Sequence, residues 1–277
     1  MGLIEIHPAA PETAKAAEAA AQGAGAALTA QDVEAFLQTL APCETAADWD
    51  NVGLLVDAGA PVTGILCALD VTAPVVEEAV RRGCSLIAAH HPVIFQPLKR
   101  LSGADVPALL LARGVSAVCM HTNLDAAVGG VNDVLCGLLG VRDAVPFAEG
   151  IGRIGRLEAP CTPQAFCAAC SAALGAGVKH TPCAAAPDVV RTVAVLGGSG
   201  GSDAAEAFAR GADAYVTGEA AHHHAIAAAA QGRLLVAAGH FATEHPVVYA
   251  LARQLSARFA PVPVLVSEAD ADPFVYD

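Results

Sequence analysis

The sequence predicts an α/β fold with mixed, largely parallel sheets flanked by helices. Short apolar runs typical of fully buried strands alternate along the chain with segments of helical periodicity. This alternation is the pattern that parallel sheets with crossover helices produce. The chain has 277 residues, of which 55% are hydrophobic, so it can form one large domain or two smaller ones.

The first predicted segment, residues 1–28, is an Ala-rich N-terminal extension, which we expect to be a tail or a loosely docked segment. Thr29 and Asp32 indicate a helix start, and the following apolar residues share one helical face. The predicted elements then run as strands 52–56 and 64–69, helix 75–82, strand 85–89, helix 106–113, strand 115–120 and helix 131–139.

A second α/β unit is predicted to begin near Arg142. It contains strand 154–157, a cysteine-bearing helix, strand 190–196, helix 203–210, strand 214–216 and an alanine-rich helix. The chain then returns through strand 234–238, a helix from about Thr243 to Arg258 and strand 263–267. We therefore predict a discontinuous domain of residues 29–140 plus 232–277 and a second domain of residues 141–231.

Composition excludes several classes of function. No apolar run approaches the roughly 18 residues that a membrane-spanning helix needs, and no signal peptide is evident. The net charge of −13 opposes phosphate backbones, and Lys99-Arg100 is too small a basic cluster to offset it. We expect a cytoplasmic protein with no membrane or nucleic-acid partner.

Three polar clusters each stand directly behind an apolar run, and they are the main functional signal. They are His90-His91-Pro92, His121-Thr122-Asn123-Leu124-Asp125 and His240-Phe241-Ala242-Thr243-Glu244. Open parallel sheets bind ligands outside the carboxyl ends of their strands. The three clusters together therefore predict one metal site assembled from distant parts of the sequence, and they make the discontinuous domain the metal-binding one.

Each cluster also has a purely structural interpretation. The two adjacent histidines are compatible with local hydrogen bonds at a strand end, and Asp125 with a helix cap. His121 is a candidate metal ligand, a partner of a ligand or a proton-transfer group. Spacing alone allows His240 and Glu244 to share a helix face, but Pro246 favours a helix that begins at Glu244, with Thr243 as its N-cap.

The full set, His90, His91, Asp125, His240 and Glu244, mixes three imidazoles with two carboxylates. This mixture suits Zn, Fe, Mn, Ni or Co better than Ca. Five protein ligands are many for one catalytic metal and natural for two metals that share a bridging carboxylate.

The motifs in combination resemble the Ngg-one-interacting-factor-three-like family, called the dinuclear metal centre, hexameric family and also GTP cyclohydrolase I type 2. The matching segments are 49–54 (WDNVGL), 89–92 (AHHP), 121–125 (HTNLD), 152–155 (GRIG), 214–219 (AYVTGE) and 239–244 (GHFATE). They occur in order over roughly residues 29–277.

The resemblance implies two similar α/β domains in a ring-like homo-hexamer and two divalent metal ions per subunit. It implies that His90 and His91 each bind one metal, that Asp125 and His240 complete the separate metals, and that Glu244 bridges them. It also suggests a nucleotide-like substrate, GTP, with hydrolytic opening of the purine imidazole ring. The family motifs do not cover the extension before Thr29.

Three further groups keep two interpretations each. Residues 196–202 (LGGSGGS) are compatible with an anion-binding loop or a tight turn. His222, His223 and His224 are compatible with cavity-facing groups or an exposed helix start. Asp50-Asn51 is interpreted as a structural turn or as a support for the site rather than a catalyst.

The nine cysteines, in a reducing compartment, are expected to stay reduced. Cys167 and Cys170 form a CxxC pair flanked by Cys161 and Cys183, which is compatible with a zinc or redox site. We favour small buried side chains on a helix, because no second pair or histidine spacing is evident.

Two functions are carried forward. The first is a metal-dependent hydrolase with His121 as the catalytic proton-transfer group. The second is a non-catalytic metal-handling or regulatory assembly that uses the same ligands.

Overall fold

The computed structural model describes residues 27–275, so almost all of the predicted extension 1–28 lies outside the described residues. The helices are α1 (Ala30–Leu40), α2 (Ala73–Arg81), α3 (Val106–Arg113), α4 (Thr122–Ala126), α5 (Val131–Leu138), α6 (Pro163–Leu174), α7 (Ala204–Ala209), α8 (His222–Ala230), α9 (His240–Glu244) and α10 (Pro246–Phe259). The strands are β1 (Gly53–Val56), β2 (Ile65–Ala68), β3 (Leu86–Ala89), β4 (Ser116–Cys119), β5 (Val141–Phe147), β6 (Gly152–Cys161), β7 (Lys179–His180), β8 (Val190–Leu196), β9 (Ala214–Thr217), β10 (Leu234–Ala237) and β11 (Val264–Val266). Short 3-10 turns lie at Cys43–Thr45, Cys183–Ala185 and Gly200–Asp203.

The first sheet has the strand order β1-β4-β3-β2-β11. All of its pairings are parallel except that of β1 with β4. Both faces are buried, since Ile65 and Cys67 of β2 pack into one apolar cluster and Leu66 and Ala68 into another. The sequence signal for this sheet was therefore strong, because strands buried on both faces are continuously apolar.

The second sheet has the order β5-β6-β8-β9-β10-β7. Its central strands β8, β9 and β10 are parallel, and β5, β6 and β7 are antiparallel to their neighbours. Two mixed sheets flanked by helices confirm the predicted fold class. The hairpin of β5 and β6 was not predicted in full, because β5 buries only its two end residues and mixes polar and apolar residues between them.

Strand β10 corrects the predicted domain boundary. Residues 234–237 were assigned with the first domain, but β10 pairs with β9 and β7 in the second sheet. The chain crosses to the first sheet only afterwards, where Val247, Leu251 and Leu255 of α10 join its core. The crossing matters because the segment between β10 and α10 carries His240 and Glu244.

The start of α1 shows how the sequence sets a local boundary. The Thr29 hydroxyl accepts a hydrogen bond from the Asp32 amide, and the Asp32 carboxylate accepts one from the Thr29 amide. This capping box satisfies two amides that the helix itself leaves unpaired. The predicted helix start is confirmed. Within residues 27–275, no helix is both long enough and apolar enough to span a bilayer.

Candidate metal centre

The three polar clusters meet between the two sheets. His90 and His91 follow β3, His121 follows β4, and both of these strands belong to the first sheet. His240 follows β10 of the second sheet. The clusters lie at carboxyl ends of strands, as expected for an open α/β sheet, but the ends come from two facing sheets.

His90 is the most buried of the five candidate ligands, and one of its ring nitrogens has no protein partner among the described residues. Its side chain is 1% exposed, and its Nδ1 lies 2.8 Å from the Met120 carbonyl oxygen, to which it donates. Its Nε2 is buried and has no hydrogen-bond partner within the described part of the chain. Burial lowers the pKa of His90 to about 4, so the imidazole is neutral and its Nε2 lone pair is available.

Glu244 lies at the centre of the cluster. Its Oε2 is 2.9 Å from His91 Nε2, 3.0 Å from His240 Nε2 and 3.8 Å from His90 Nε2. Burial alone would raise the pKa of Glu244, but hydrogen bonds from His240 and His91 hold it well below its ordinary value. The carboxylate is therefore ionised and faces three imidazoles at once.

Asp125 faces the same centre from α4. Its Oδ1 lies 3.7 Å from His90 Nε2, and the residue is 8% exposed. Burial and the nearby Glu244 carboxylate raise the pKa of Asp125 well above its ordinary value. The helix-cap interpretation of Asp125 is wrong, since Asp125 lies within α4 and Gly130 occupies the N-cap position of the next helix, α5. A bound cation would offset the cost of burying two carboxylates together.

Two ligand groups share Glu244. One contains His91, His240 and Glu244, the other contains His90, Asp125 and Glu244, and the donor atoms within each lie within 4.8 Å of one another. Two observations indicate that the residues fit a pair of metal ions: the chemistry of this donor set and the unpartnered Nε2 of His90. The structure thus brings together all five sequence-predicted ligands.

A third group, His90, His91 and His121, satisfies the same distance limit. His121 Nδ1 lies 2.8 Å from Asp50 Oδ1, and Asp50 also accepts hydrogen bonds from the amide and hydroxyl of Thr122. Burial opposes ionisation of Asp50, but these hydrogen bonds hold its pKa well below the ordinary value. Asp50 therefore supports the site through His121, in line with one of its two predicted roles.

The histidines share an orientation that is typical of metal ligands. His90 Nδ1 donates to a carbonyl, His91 Nδ1 lies 2.8 Å from Asp70 Oδ1, and His240 Nδ1 lies 3.4 Å from Glu219 Oε1. An acceptor on Nδ1 fixes the ring and leaves Nε2 free for a metal. Hydrogen bonds to Asp70 and Glu244 raise the pKa of His91 to about 10, although burial opposes this. The pKa of His240 is likewise raised, chiefly by its hydrogen bond to Glu244.

Sequence reasoning missed the roles of Asp70 and Glu219. The signal was available, because Asp70 follows predicted strand 64–69 and Glu219 follows predicted strand 214–216 after two intervening residues. Both are thus acidic residues at strand ends, like the clusters that were identified.

The predicted helix start at Glu244 is wrong. Residues 240–244 form α9, which begins after Gly239 at a φ of +91°, and Pro246 opens the next helix. Proline removes only its own N–H, so a helical segment can precede it when a new one starts there. Thr243 is not an N-cap: its hydroxyl donates within α9 and accepts from the Gly198 amide. His240 and Glu244 consequently share one helix face.

The glycine-rich loop packs directly on Glu244. Gly198 has a φ of +62°, and a Cβ there would lie 2.0 Å from Glu244 Oε1. The amides of Gly197, Gly198 and Gly200 donate to side chains of the protein. The loop is therefore a close-packed turn, and these three amides do not face an anion.

A cavity of about 510 Å³ opens beside the centre. Its lining includes His91 and His240, and Lys179 is the one lysine or arginine among its described lining residues. On the other side of the cluster, the exposed ring of Trp49 lies 5.9 Å from Phe95 and 6.2 Å from His121. The centre is thus flanked by a mainly apolar cavity that also carries charged side chains, and by two exposed aromatic rings.

The histidines that open α8 are not part of the cluster within the described residues. His222 and His223 are exposed, which matches the exposed-helix-start interpretation. His224 is half-buried against the loop at Gly201. The nine cysteines are free thiols, as predicted.

Comparison with known proteins gives consistent matches over nearly all of the described chain. A family model described as Duf34/NIF3 (NGG1p interacting factor 3) matches residues 28–273. The chain is 30% identical over 269 residues to a Clostridium acetobutylicum protein named GTP cyclohydrolase 1 type 2 homolog, covering 90% of this chain and 99% of that relative. It is 34% identical over 252 residues to the Schizosaccharomyces pombe Protein NIF3 homolog, covering 81% and 90%.

Solved structures share the fold as well. The crystal structure of the Staphylococcus aureus hypothetical protein SA1388 superposes with a TM-score of 0.81 at 26% sequence identity. The match covers 91% of this chain and 100% of that one. The agreement therefore includes both sheets and the crossing between them that positions the centre.

Proposed function

The chain belongs to the Duf34/NIF3 family, and we propose that it is a dinuclear metal-dependent hydrolase acting on a nucleotide-like substrate. The observation that carries the proposal is the position of the Glu244 carboxylate between two histidine-bearing ligand groups. One group presents His90 and Asp125, and the other presents His91 and His240. A carboxylate shared by two ligand groups favours a two-metal centre over a single-metal site.

Two divalent cations held there would act as Lewis acids, activating water and polarising a carbonyl or phosphoryl oxygen. The donor set suits Zn, Fe, Mn, Ni or Co. The protein's own contribution begins with rigid placement. The Nδ1 atoms of His90 and His91 are fixed by a carbonyl and by Asp70, so the rings keep one orientation whether or not a substrate is present.

His121 is the proposed proton-transfer group. Asp50 accepts the hydrogen bond from its Nδ1, which leaves Nε2 directed at the cluster of His90 and His91. The buried Asp50 carboxylate also stabilises the protonated imidazole after His121 takes a proton from the nucleophile. This arrangement lets one side chain accept a proton and then deliver it to the leaving group.

A nucleotide-like substrate fits the two flanks of the centre. Lys179 offers a positive charge to a phosphate in a cavity that is also lined by the carboxylates of Asp70, Glu219 and Asp272. Trp49 and Phe95 offer exposed rings on which a base can stack beside His121. The relatives named GTP cyclohydrolase 1 type 2 homolog make GTP the first substrate to assay.

The test is turnover by metal-loaded protein on a panel of nucleotides, with formate and phosphate both measured. We expect the parent protein to release formate or phosphate, and we expect this release to disappear in Glu244→Ala, because this variant removes the shared ligand. Glu77→Ala is the matched control, since Glu77 pairs with Arg113 on the surface and should leave the rate unchanged. Tight metal binding without turnover on any nucleotide would refute the hydrolase and favour a metal-handling role.

Assembly into a homo-hexamer and a cytoplasmic location remain predictions. The assembly is measured by light scattering coupled to size-exclusion chromatography. A mass six times that of the chain is expected, and a stable monomer or dimer would contradict it.

A further inference from the structure

A second cluster of metal-binding side chains lies in the second sheet, apart from the histidine–carboxylate centre. Cys167, His180 and Cys183 place one ligand atom each within 4.8 Å of one another. They come from three elements: helix α6, edge strand β7 and the 3-10 turn Cys183–Ala185. The three groups therefore converge through the fold and not through proximity in sequence alone.

The backbone around the cluster is well defined. His180 pairs with Val236 at the edge of the sheet, which anchors β7 to β10. The next residue, Thr181, donates its hydroxyl to the Arg233 carbonyl and accepts from the Leu235 amide. These bonds turn the chain so that Cys183, two residues beyond Thr181, returns to face His180, with its Sγ 3.6 Å from His180 Nδ1. Nδ1 also lies 2.9 Å from the Thr181 carbonyl oxygen, to which it donates, so the lone pair available to a cation is on Nε2.

Cys167 joins the cluster from the buried side of helix α6. It is 4% exposed on α6, and Cys183 packs against the same apolar core. Burial and, secondly, the adjacent Cys183 raise the pKa of the Cys167 thiol to about 12. Without a cation the thiol stays protonated, whereas a bound metal stabilises the thiolate and releases the proton to solvent.

We propose that Cys167, His180 and Cys183 form a single-ion site for zinc or a chemically similar cation. Thiolate and imidazole donors in this ratio are the set that zinc prefers. Because His180 is exposed and Cys183 half-buried, the fourth coordination position is open to solvent. Cys170, one turn along α6, is not part of the group, so the CxxC motif is not the site.

The site has a structural consequence for the cavity. The strand that supplies His180 also supplies Lys179, which lines the cavity beside His91 and His240. A cation bound by His180 would tie this two-residue edge strand to α6. The second site thus stabilises one wall of the cavity without contacting the first centre's ligands.

The site is tested with cobalt(II), added to protein that has been stripped of metal and kept reduced. Thiolate bound to cobalt gives a charge-transfer absorption in the near ultraviolet, which histidine and carboxylate ligands do not give. We expect this band in the parent protein, with an intensity that corresponds to one thiolate-bound cobalt per chain, whatever cobalt the histidine–carboxylate centre also binds. It should persist in Glu244→Ala, so the test does not depend on the proposed hydrolase.

The variants separate the site from the other thiols. Cys167→Ser and Cys183→Ser should each weaken the cobalt affinity at least tenfold, and Cys170→Ser is the matched control that should retain it. Cys183 lies half-exposed in a surface turn, so Cys183→Ser remains informative if Cys167→Ser fails to fold. The proposal is overturned if the reduced parent shows no band, or if the loss in Cys170→Ser equals that in Cys183→Ser.

Discussion

Gly198→Ala tests whether the position of Glu244 controls metal binding. The new methyl group would lie 2.0 Å from Glu244 Oε1 and 3.2 Å from His240 Nε2. Carbon and oxygen atoms that are not bonded do not approach that closely, so the carboxylate has to move by about 1 Å. The movement displaces the shared carboxylate, whose other oxygen, Oε2, faces His91, His240 and His90.

Two effects contribute to the expected size of the change. An alanine at a φ of +62° costs about 1 kcal/mol of stability, because its side chain is strained in the left-handed region. A displaced ligand costs more in affinity: losing the support of a metal ligand lowers affinity by roughly 10–100-fold, or about 1.4–2.8 kcal/mol.

Gly114→Ala is the matched control. Gly114 has a φ of +68°, and a Cβ there meets nothing within 4 Å. Both variants should lower the free energy of unfolding through the left-handed strain, Gly198→Ala more so because of its clash with Glu244, and only Gly198→Ala should weaken metal binding. The assay is calorimetric titration with Mn²⁺, which binds carboxylate and imidazole ligands and disfavours the thiolates of the second site. Equal Mn²⁺ affinity in the two variants would refute the reasoning.

Three other substitutions have defined outcomes. Arg153→Met should lower the free energy of unfolding in urea by about 3 kcal/mol, because the buried guanidinium bonds Asp133 and carbonyls of two loops; a loss below 1 kcal/mol would contradict this. Burial opposes ionisation of Glu78, but hydrogen bonds from Ser267 and backbone amides lower its pKa to about 2. The ionised Glu78 carboxylate therefore stabilises the fold fully above about pH 4.5, and this stabilisation is lost towards pH 2. In Glu78→Gln the free energy of unfolding should depend less steeply on pH in this range. A slope equal to that of the parent protein would contradict this prediction. Trp49→Ala should raise KM about tenfold with unchanged metal content, since stacking contributes about 1–3 kcal/mol, and an unchanged KM would exclude stacking.

Much of the centre could be predicted because ligands of open α/β sheets bind at the carboxyl ends of the strands. His90, His91 and His121 follow strands that are buried throughout and almost entirely apolar, and such strands are recognisable in a sequence. The same rule extends to Asp70 and Glu219, which follow or closely follow the ends of predicted strands and were not singled out. The candidate ligands could thus be predicted from the sequence. The acidic residues beside their rings, Asp70 and Glu219, could have been predicted by the same rule.

Which of the two sheets each strand joins could not be predicted from the sequence. Strand β10 is apolar like the strands of both sheets, so its composition carries no information about which neighbours it pairs with. Helix α9 was missed because a proline after a short polar segment suggests a helix start, whereas here it joins two consecutive helical segments. His180 was missed because its cluster forms only when β7 adds to the sheet edge.

The central claim is that two metal ions share Glu244. Anomalous diffraction from crystals of metal-loaded protein tests it most directly. The account predicts two peaks flanking the Glu244 carboxylate, one in contact with His90 and Asp125 and the other with His91 and His240. A single peak in this cluster, or two peaks that leave Glu244 without a metal contact, would contradict it.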